Sequence, residues 1–220
     1  MGEVKPPPEL AALIGDLVGS RISADRADLH NRLGAALAEV NALVPTVRPL
    51  WITAGDEFQG TFATVGTAVQ ASLLIRMRLA PAHDVRHGIG WGSTTVLDEV
   101  GGIEDGPAWW AARAGIEAAE RAEQSAPGRS LRTAYVLADA VDGPDPGLVN
   151  AGLVLRDERV SGLSERSLSV LRGLLSGQTQ RDIAESLGIS ASAVSQRVRA
   201  DGLAALVTAH ELVGETGGAR

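Results

Sequence analysis

The stretch WITAGDEFQGTF, residues 51–62, decides how the rest of the chain is read. It begins as an apolar, β-branched run, turns at Gly55, sets two acids at Asp56 and Glu57, and becomes apolar again at Phe58 and Phe62. Two half-buried strands joined by so short a link read as a hairpin. Carboxylates at its tip are either a polar turn or part of a divalent-metal site, and residues elsewhere must decide. Upstream, ELAALIGDLVGS reads as a core strand that delivers Asp16 to its C-terminal end.

Helices and further strands follow from spacing. Leu29, Leu33, Leu37, Val40 and Leu43 recur at three- and four-residue steps, an amphipathic helix from Asp25 to Leu43 closed by Pro45. A second helix spans Val65 to Leu79 and is stopped by Pro81. DVRHGIGWGSTTVL reads as one strand, with glycines where a backbone or ligand comes close. Residues 107–124 form an Ala-rich helix carrying Trp109, Trp110 and Arg113, and SLRTAYVLAD is a further strand. The order β-α-β-β-α-β-α-β is that of an α+β, ferredoxin-like or palm-type sheet with helices packed on one face. The expected organisation is a tail at 1–8, a sheet domain at 9–145, a connecting helix at 146–162, a helical domain at 163–213 and a second tail at 214–220.

Residues 163–213 read as three helices. The first runs from Leu163 to Leu175 and Gly177 breaks it; Thr179 caps the second, QRDIAESL. After the turn GIS, Ser190 or Ser192 opens the third, ASAVSQRVRADGLAALV. With Ile183, Ala184, Leu187, Ile189 and Val194 inward and Gly188 where the turn wants a left-handed residue, this is a helix-turn-helix. Ser190, Ser192, Ser195, Gln196, Arg197 and Arg199 can reach phosphates or base edges, so DNA is the expected partner, with pure protein docking as the rival use. Acids and bases balance across residues 163–220, so the sequence-independent pull on DNA is weak.

Composition excludes several classes. The chain of 220 residues has no cysteine, hence no disulfide framework or thiolate metal site. Lys5 is the single lysine, which removes Walker-A and Schiff-base mechanisms, and no G-x-x-x-x-G-K occurs. No run approaches the roughly 18 apolar residues of a membrane span, and the start MGEVKPPPEL lacks a secretory segment, so a cytoplasmic protein without a membrane partner is expected. A net charge of −7 argues against a wholesale nucleic-acid coat, though not against one local basic face. No serine stands in a G-x-S-x-G context. His87 reads as a structural histidine rather than a catalytic one, and Trp109 and Trp110 as core or interface rather than a base-stacking platform.

In a palm-type sheet the first strand and the hairpin are neighbours, so Asp16 and Asp56 can converge. Two such carboxylates repel unless a cation lies between them, and hard oxygen ligands suit Mg²⁺ (or Mn²⁺) carrying substrate phosphates.

GDLVGS, residues 15–20, resembles the first metal-binding motif of class III nucleotidyl cyclases, and AGDEFQGTF their second; the latter is also similar to the hairpin of GGDEF-type diguanylate cyclases. RHGIGWG, residues 86–92, is similar to the cyclase strand after the second helix, and GPAWWAARAGIE, residues 106–117, to the helix that ends in a transition-state arginine. With the helix-turn-helix behind it, nearly the whole chain resembles the bacterial SatD family. The resemblance implies that Asp16 and Asp56 bind metal with the Leu17 carbonyl as a third ligand, that Glu57 matches the acid of the GGDEF-like turn, and that Arg113 steadies a triphosphate. The spacing of Arg113 from Gly106 is one residue short of that pattern. Gly19, Ser20, Arg21 and Gly55 are the phosphate-contact candidates beside them, with a surface ion pair as the other use of Arg21. Two groups of the cyclase pattern are absent: Trp51, Ile52 and Thr53 occupy the neighbourhood of the purine-reading lysine, and Trp109 or Trp110 stands in place of the catalytic asparagine. The expectation is a homodimeric, DNA-binding regulator that senses a nucleotide or other phosphorylated small molecule through Mg²⁺. The alternatives are an active nucleotidyl cyclase or other phosphoryl-transfer enzyme, and a non-catalytic interaction protein.

Overall fold

A computed structural model of the chain describes residues 7–19, 26–98 and 103–215. The main sheet has five strands: β1 (Glu9–Leu17), β2 (Arg48–Ala54), β3 (Glu57–Phe62), β4 (Val85–Ser93) and β7 (Thr133–Leu137), in the order β2-β3-β1-β4-β7. The β2-β3, β3-β1 and β1-β4 pairs are antiparallel, and β4-β7 is parallel. The first four strands, with α1 (Arg26–Leu43) and α2 (Val65–Leu79), give the expected ferredoxin-like unit. α3 (Pro107–Glu123) then crosses over to add β7 beside β4.

Helices cover both faces of this sheet, not one. Ala11, Leu13 and Leu17 of β1 join Leu33 and Leu37 of α1, Ile75 of α2, Phe58 and Phe62 in one core, whereas Ala12 and Ile14 join Ala108, Trp109, Ala112 and Ile116 of α3 in another. A strand buried on both faces cannot alternate apolar with polar residues, which is why ELAALIG reads as a continuous apolar run. The glycines of β4 are there for a backbone. A Cβ on Gly88 would lie 2.0 Å from the Ala112 carbonyl oxygen, and one on Gly90 2.1 Å from that of Ala108, so glycine lets α3 sit directly on the strand.

DVRHGIGWGSTTVL is not a single strand. β4 leaves the sheet where its neighbours end: Ser93 is opposite Glu9, the first residue of β1, and the parallel ladder with β7 stops at Trp91–Leu137. The chain continues as β5 (Thr95–Asp98), paired with β6 (Ile103–Asp105) in a separate two-stranded sheet. Arg48 of β2 ties this hairpin back through Glu104 at 2.8 Å.

α4 (Pro146–Ser161) does more than connect. Asn150 accepts from the Tyr135 N–H and donates to the Tyr135 carbonyl, so it pairs with β7 where no strand does. One turn before its end, the fully buried Asp157 accepts from the backbone N–H groups of Arg132 and Thr133 at 2.7 and 2.8 Å and from Arg76 and Arg156.

Four helices follow: α5 (Glu165–Leu175), α6 (Gln180–Leu187), α7 (Ala191–Ala200) and α8 (Leu203–Glu215). The third helix expected from the sequence is therefore two, divided at Asp201–Gly202, where Gly202 takes φ 64° and Asp201 accepts from Ser167. Thr179 and Asp182 form a capping box on α6, Gly188 ends it in the left-handed region, and Ser190 caps α7 through the Ala193 N–H. Leu171, Ile183, Ala184, Val194, Val198 and Leu206 share one core with Leu73 and Met77 of α2. Arg172 adds hydrogen bonds to the carbonyls of Met77 and Ala80. Among the described residues no helix is long and apolar enough to cross a membrane.

Candidate functional site

The C-terminal end of β1, the β2–β3 turn and the start of β4 meet at one end of the sheet, because the antiparallel register puts Asp16 opposite Arg86 and Gly15 opposite Phe58. Gly55 closes the two-residue turn at φ 62°, a conformation that suits glycine, and Asp56 follows it. The fold thus gathers Asp16, Leu17, Gly55, Asp56, Glu57 and Arg113 into one region. Gly19 lies just beyond β1, exposed at φ 73°; Ser20 and Arg21 lie outside the described residues.

The side chains are paired differently from the expectation. Both oxygens of Asp16 accept from the Arg86 guanidinium, at 3.1 and 3.2 Å. Arg86 also reaches Glu120 and Glu123 on α3, at 3.4 and 3.3 Å. Burial pushes the Asp16 carboxyl above the ordinary range while Arg86 pulls it back, and hydrogen bonding and charge from Asp16, with Glu120 and Glu123, hold the Arg86 guanidinium firmly protonated against its own burial. Arg113 donates to both oxygens of Glu57, at 2.9 and 3.3 Å, a bond that raises its own pKa. Sequence reading missed Arg86, although it is the residue that fixes Asp16.

Asp16, the Leu17 carbonyl and Asp56 are the groups that would hold Mg²⁺, and there the ion would compete with Arg86 for Asp16. Asp16 and Glu57 give all their oxygens to guanidinium groups, and among the described residues no three His, Asp or Glu side chains gather to hold a metal. Asp56 belongs to neither pair, but its charge adds to the upward push on the Asp16 carboxyl, so the two carboxylates do face one another. With Gly55, Asp56 borders a cavity of about 150 Å³ whose other walls include Leu17, Leu29 and Leu33, with Arg26 and His30 of α1 supplying the basic groups. Those groups suit an anion.

His87 is fully buried edge-on to the Phe58 ring, with centroids 5.8 Å apart. Burial first, then Arg156 and Arg76, bring its pKa down to about 3, so it is a neutral core residue, as the sequence suggested. Trp109 is buried against Ala12 and Ile14, while Trp110 is 63 % exposed and donates to Asp105.

The second region is the surface of α7. Val194 and Val198 point into the helical core. Ser192, Ser195, Gln196 and Arg199 recur at helical spacing on the opposite side and are exposed or half-buried. Arg197 lies off that stripe, half-buried, and its Nε finds no partner among the described residues, while Ser190 is committed to its cap.

Comparison with known proteins agrees with this two-part construction. Residues 10–140, more than half of the chain, match the model of the SatD family (SatD), and residues 161–199 match that of bacterial regulatory proteins, luxR family. No curated protein matches the chain. Among solved structures, a bacterial light-regulated adenylyl cyclase is 15 % identical over 54 % of this chain, with a TM-score of 0.39. The chain spans 42 % of that protein's length. The guanylate cyclase domain of RhGC from Catenaria anguillulae, solved in complex with GTP, is 15 % identical over 52 % of this chain and 75 % of its own, with a TM-score of 0.39. A regulator of polyketide synthase expression from Bifidobacterium adolescentis is 15 % identical over 96 % of this chain and 87 % of its own, with a TM-score of 0.27.

Proposed function

We propose that this chain, which belongs to the SatD family, is a DNA-binding regulator whose sheet domain senses a phosphorylated small molecule. The carrying observation is the polar stripe Ser192–Ser195–Gln196–Arg199 on α7, presented opposite the buried Val194 and Val198 by a helix-turn-helix that matches the luxR-type model. A helix held in this way can enter a major groove, where Gln pairs with adenine and Arg with guanine or phosphate. Two copies would read two half-sites, and the exposed Val96, Leu97 and Trp110 offer apolar surface for pairing.

On the sheet domain, the cavity beside Asp56 supports a ligand with phosphate groups, held by Arg26 and His30 at the start of α1. Mg²⁺ would enter with such a ligand only by drawing Asp16 away from Arg86.

The test has two arms. Genomic fragments retained by the full chain are titrated by anisotropy at two salt concentrations, for wild type and for Gln196→Ala/Arg199→Ala. Loss of about 1–3 kcal/mol of discrimination per base-reading contact is expected. A wild type that retains no preferred fragment refutes the DNA arm. Calorimetry with ATP and GTP, with and without Mg²⁺, forms the second arm; equal binding by Arg26→Ala sinks the phosphate assignment, and nucleotide turnover abolished by Asp56→Asn would establish an enzyme instead.

A further inference from the structure

A larger cavity of about 380 Å³ lies where the sheet domain meets the helix-turn-helix, with walls from α2, α4 and α8. Its volume falls in the range of small-molecule sites, about 300–1,000 Å³. Val69 and Leu73 of α2, Leu153 of α4, and Leu206 and Val213 of α8 make the interior apolar. Leu148, 77 % exposed, adds an apolar lip. Among the described residues a Cβ built on Gly152 would meet nothing within 4 Å, so none of them packs on this wall of α4.

Polar character is confined to a few groups. Asp145 is committed to capping α4. Arg156 spends its donors on Thr133, Ser72, the Val69 carbonyl and Asp157, yet its charge still reaches His210 on the facing helix. Burial, then Arg156, bring the His210 pKa down to about 4, so at neutral pH the ring carries one N–H donor and one acceptor. The His210 ring therefore stands at the edge of an otherwise apolar chamber, on whose wall the ion-paired Arg156 also lies.

We propose that this cavity is a binding site for a small amphiphile with one acidic end, its apolar chain lying between α2, α4 and α8 and its carboxylate accepting from the His210 ring N–H. The site is separate from the cavity beside Asp56, shares no residue with it, and does not depend on the phosphate reading. Because α8 is one of its walls, an occupant would touch the sheet domain and the helix-turn-helix at once.

Dodecanoate, below its micellar concentration, is the probe, with dodecanol as its uncharged counterpart, titrated into the full chain by calorimetry. Saturable one-to-one binding is expected, with dodecanoate preferred over dodecanol and the preference lost in His210→Ala. Gly152→Phe should weaken binding at least about tenfold, since displacing two methylenes already costs that much. It should remain folded by circular dichroism, because glycine is the poorest helix former after proline. Ala209→Phe blocks the chamber from the opposite wall and gives a second reading should the first variant misfold. Absence of saturable binding, or equal binding by both filling variants, overturns the proposal. So does a concentration-dependent dimer that both variants break in a protein that does not bind dodecanoate, which would make the cavity part of an interface between copies.

Discussion

Loss of Asp157 should be costly. Its side chain is fully buried, one oxygen accepting from the N–H groups of Arg132 and Thr133 and the other from Arg156 and Arg76. It thereby holds α4 to the start of β7 and neutralises two arginines that are themselves 11 % and 5 % exposed. Asp157→Asn preserves shape, but whichever way the amide lies its NH₂ faces only donors. Removing one partner of a buried ion pair costs about 3–5 kcal/mol, because the remaining charge stays buried. For a chain of this size that corresponds to a fall in melting temperature of roughly 6–20 °C. The control is Asp28→Asn, which breaks an exposed pair with Arg32 on α1 and should cost less than about 1 kcal/mol. Thermal and urea unfolding followed by circular dichroism measure both. A drop of under about 3 °C for Asp157→Asn would mean that water or a side-chain shift compensates the arginines, and the network would not be what fixes α4.

The buried histidine gives a pH signature. His87 titrates near 3 in the folded chain against an ordinary 6.5, so the unfolded chain binds the extra proton across that window and stability is lost as pH falls from 6.5 towards 3, by up to about 1.4 kcal/mol per pH unit. Urea unfolding at pH 7, 5.5 and 4.5 should show a shallower slope for His87→Leu, and an unchanged slope would place the acid sensitivity elsewhere. The glycine face of β4 predicts that Gly90→Ala, with its Cβ 2.1 Å from the Ala108 carbonyl oxygen, destabilises by the upper end of about 1–3 kcal/mol or prevents folding. Gly34→Ala on α1, whose Cβ meets only Ile52 at 4.0 Å, should instead stabilise by about 0.5–1 kcal/mol in the same assay.

Much of this architecture was legible because its signals are local. The continuous apolar run of β1, the three- and four-residue steps of α1 and α2, Gly55 in the hairpin turn and the caps Thr179 and Ser190 each depend on neighbours a few residues away. What escaped depends on register between distant segments. Arg86 becomes the partner of Asp16 only once β1 and β4 pair antiparallel, 70 residues apart, so an acid that reads only as half of a carboxylate pair with Asp56 also carries an arginine. The glycines of β4 announced a close approach without saying whether backbone or ligand would make it. β6, three residues with two acids, has neither the length nor the alternation that marks a strand. The division between α7 and α8 was hidden because the helical periodicity continues across Gly202; the left-handed glycine and the reach of Ser167 to Asp201 are tertiary facts.

How a signal could travel between the two parts is constrained by α2, which belongs to both cores. Its Ala68, Ala71 and Ile75 belong to the core of the sheet domain, while Leu73 and Met77 enter the core of the helix-turn-helix. Gly162–Ser164, the link between α4 and α5, is too short and too well tied to act as a flexible tether: Gly162 bonds back to Glu158, Leu163 bonds back to Val160, and Ser164 caps α5. Arg172 adds two bonds from α5 to the end of α2, and Gln70 bonds to the backbone of α8. Free swinging of the DNA-reading unit would break all of these together and uncover the apolar faces of Leu73 and Met77. A ligand-driven change would therefore have to act as a small sliding of α2 and α4 against α5 and α8, the kind of shift packed helices make without exposing their cores. In the dimer proposed above, such a shift would re-aim α7 on one copy relative to the other, so half-site spacing is where the proposed ligand and DNA would be coupled.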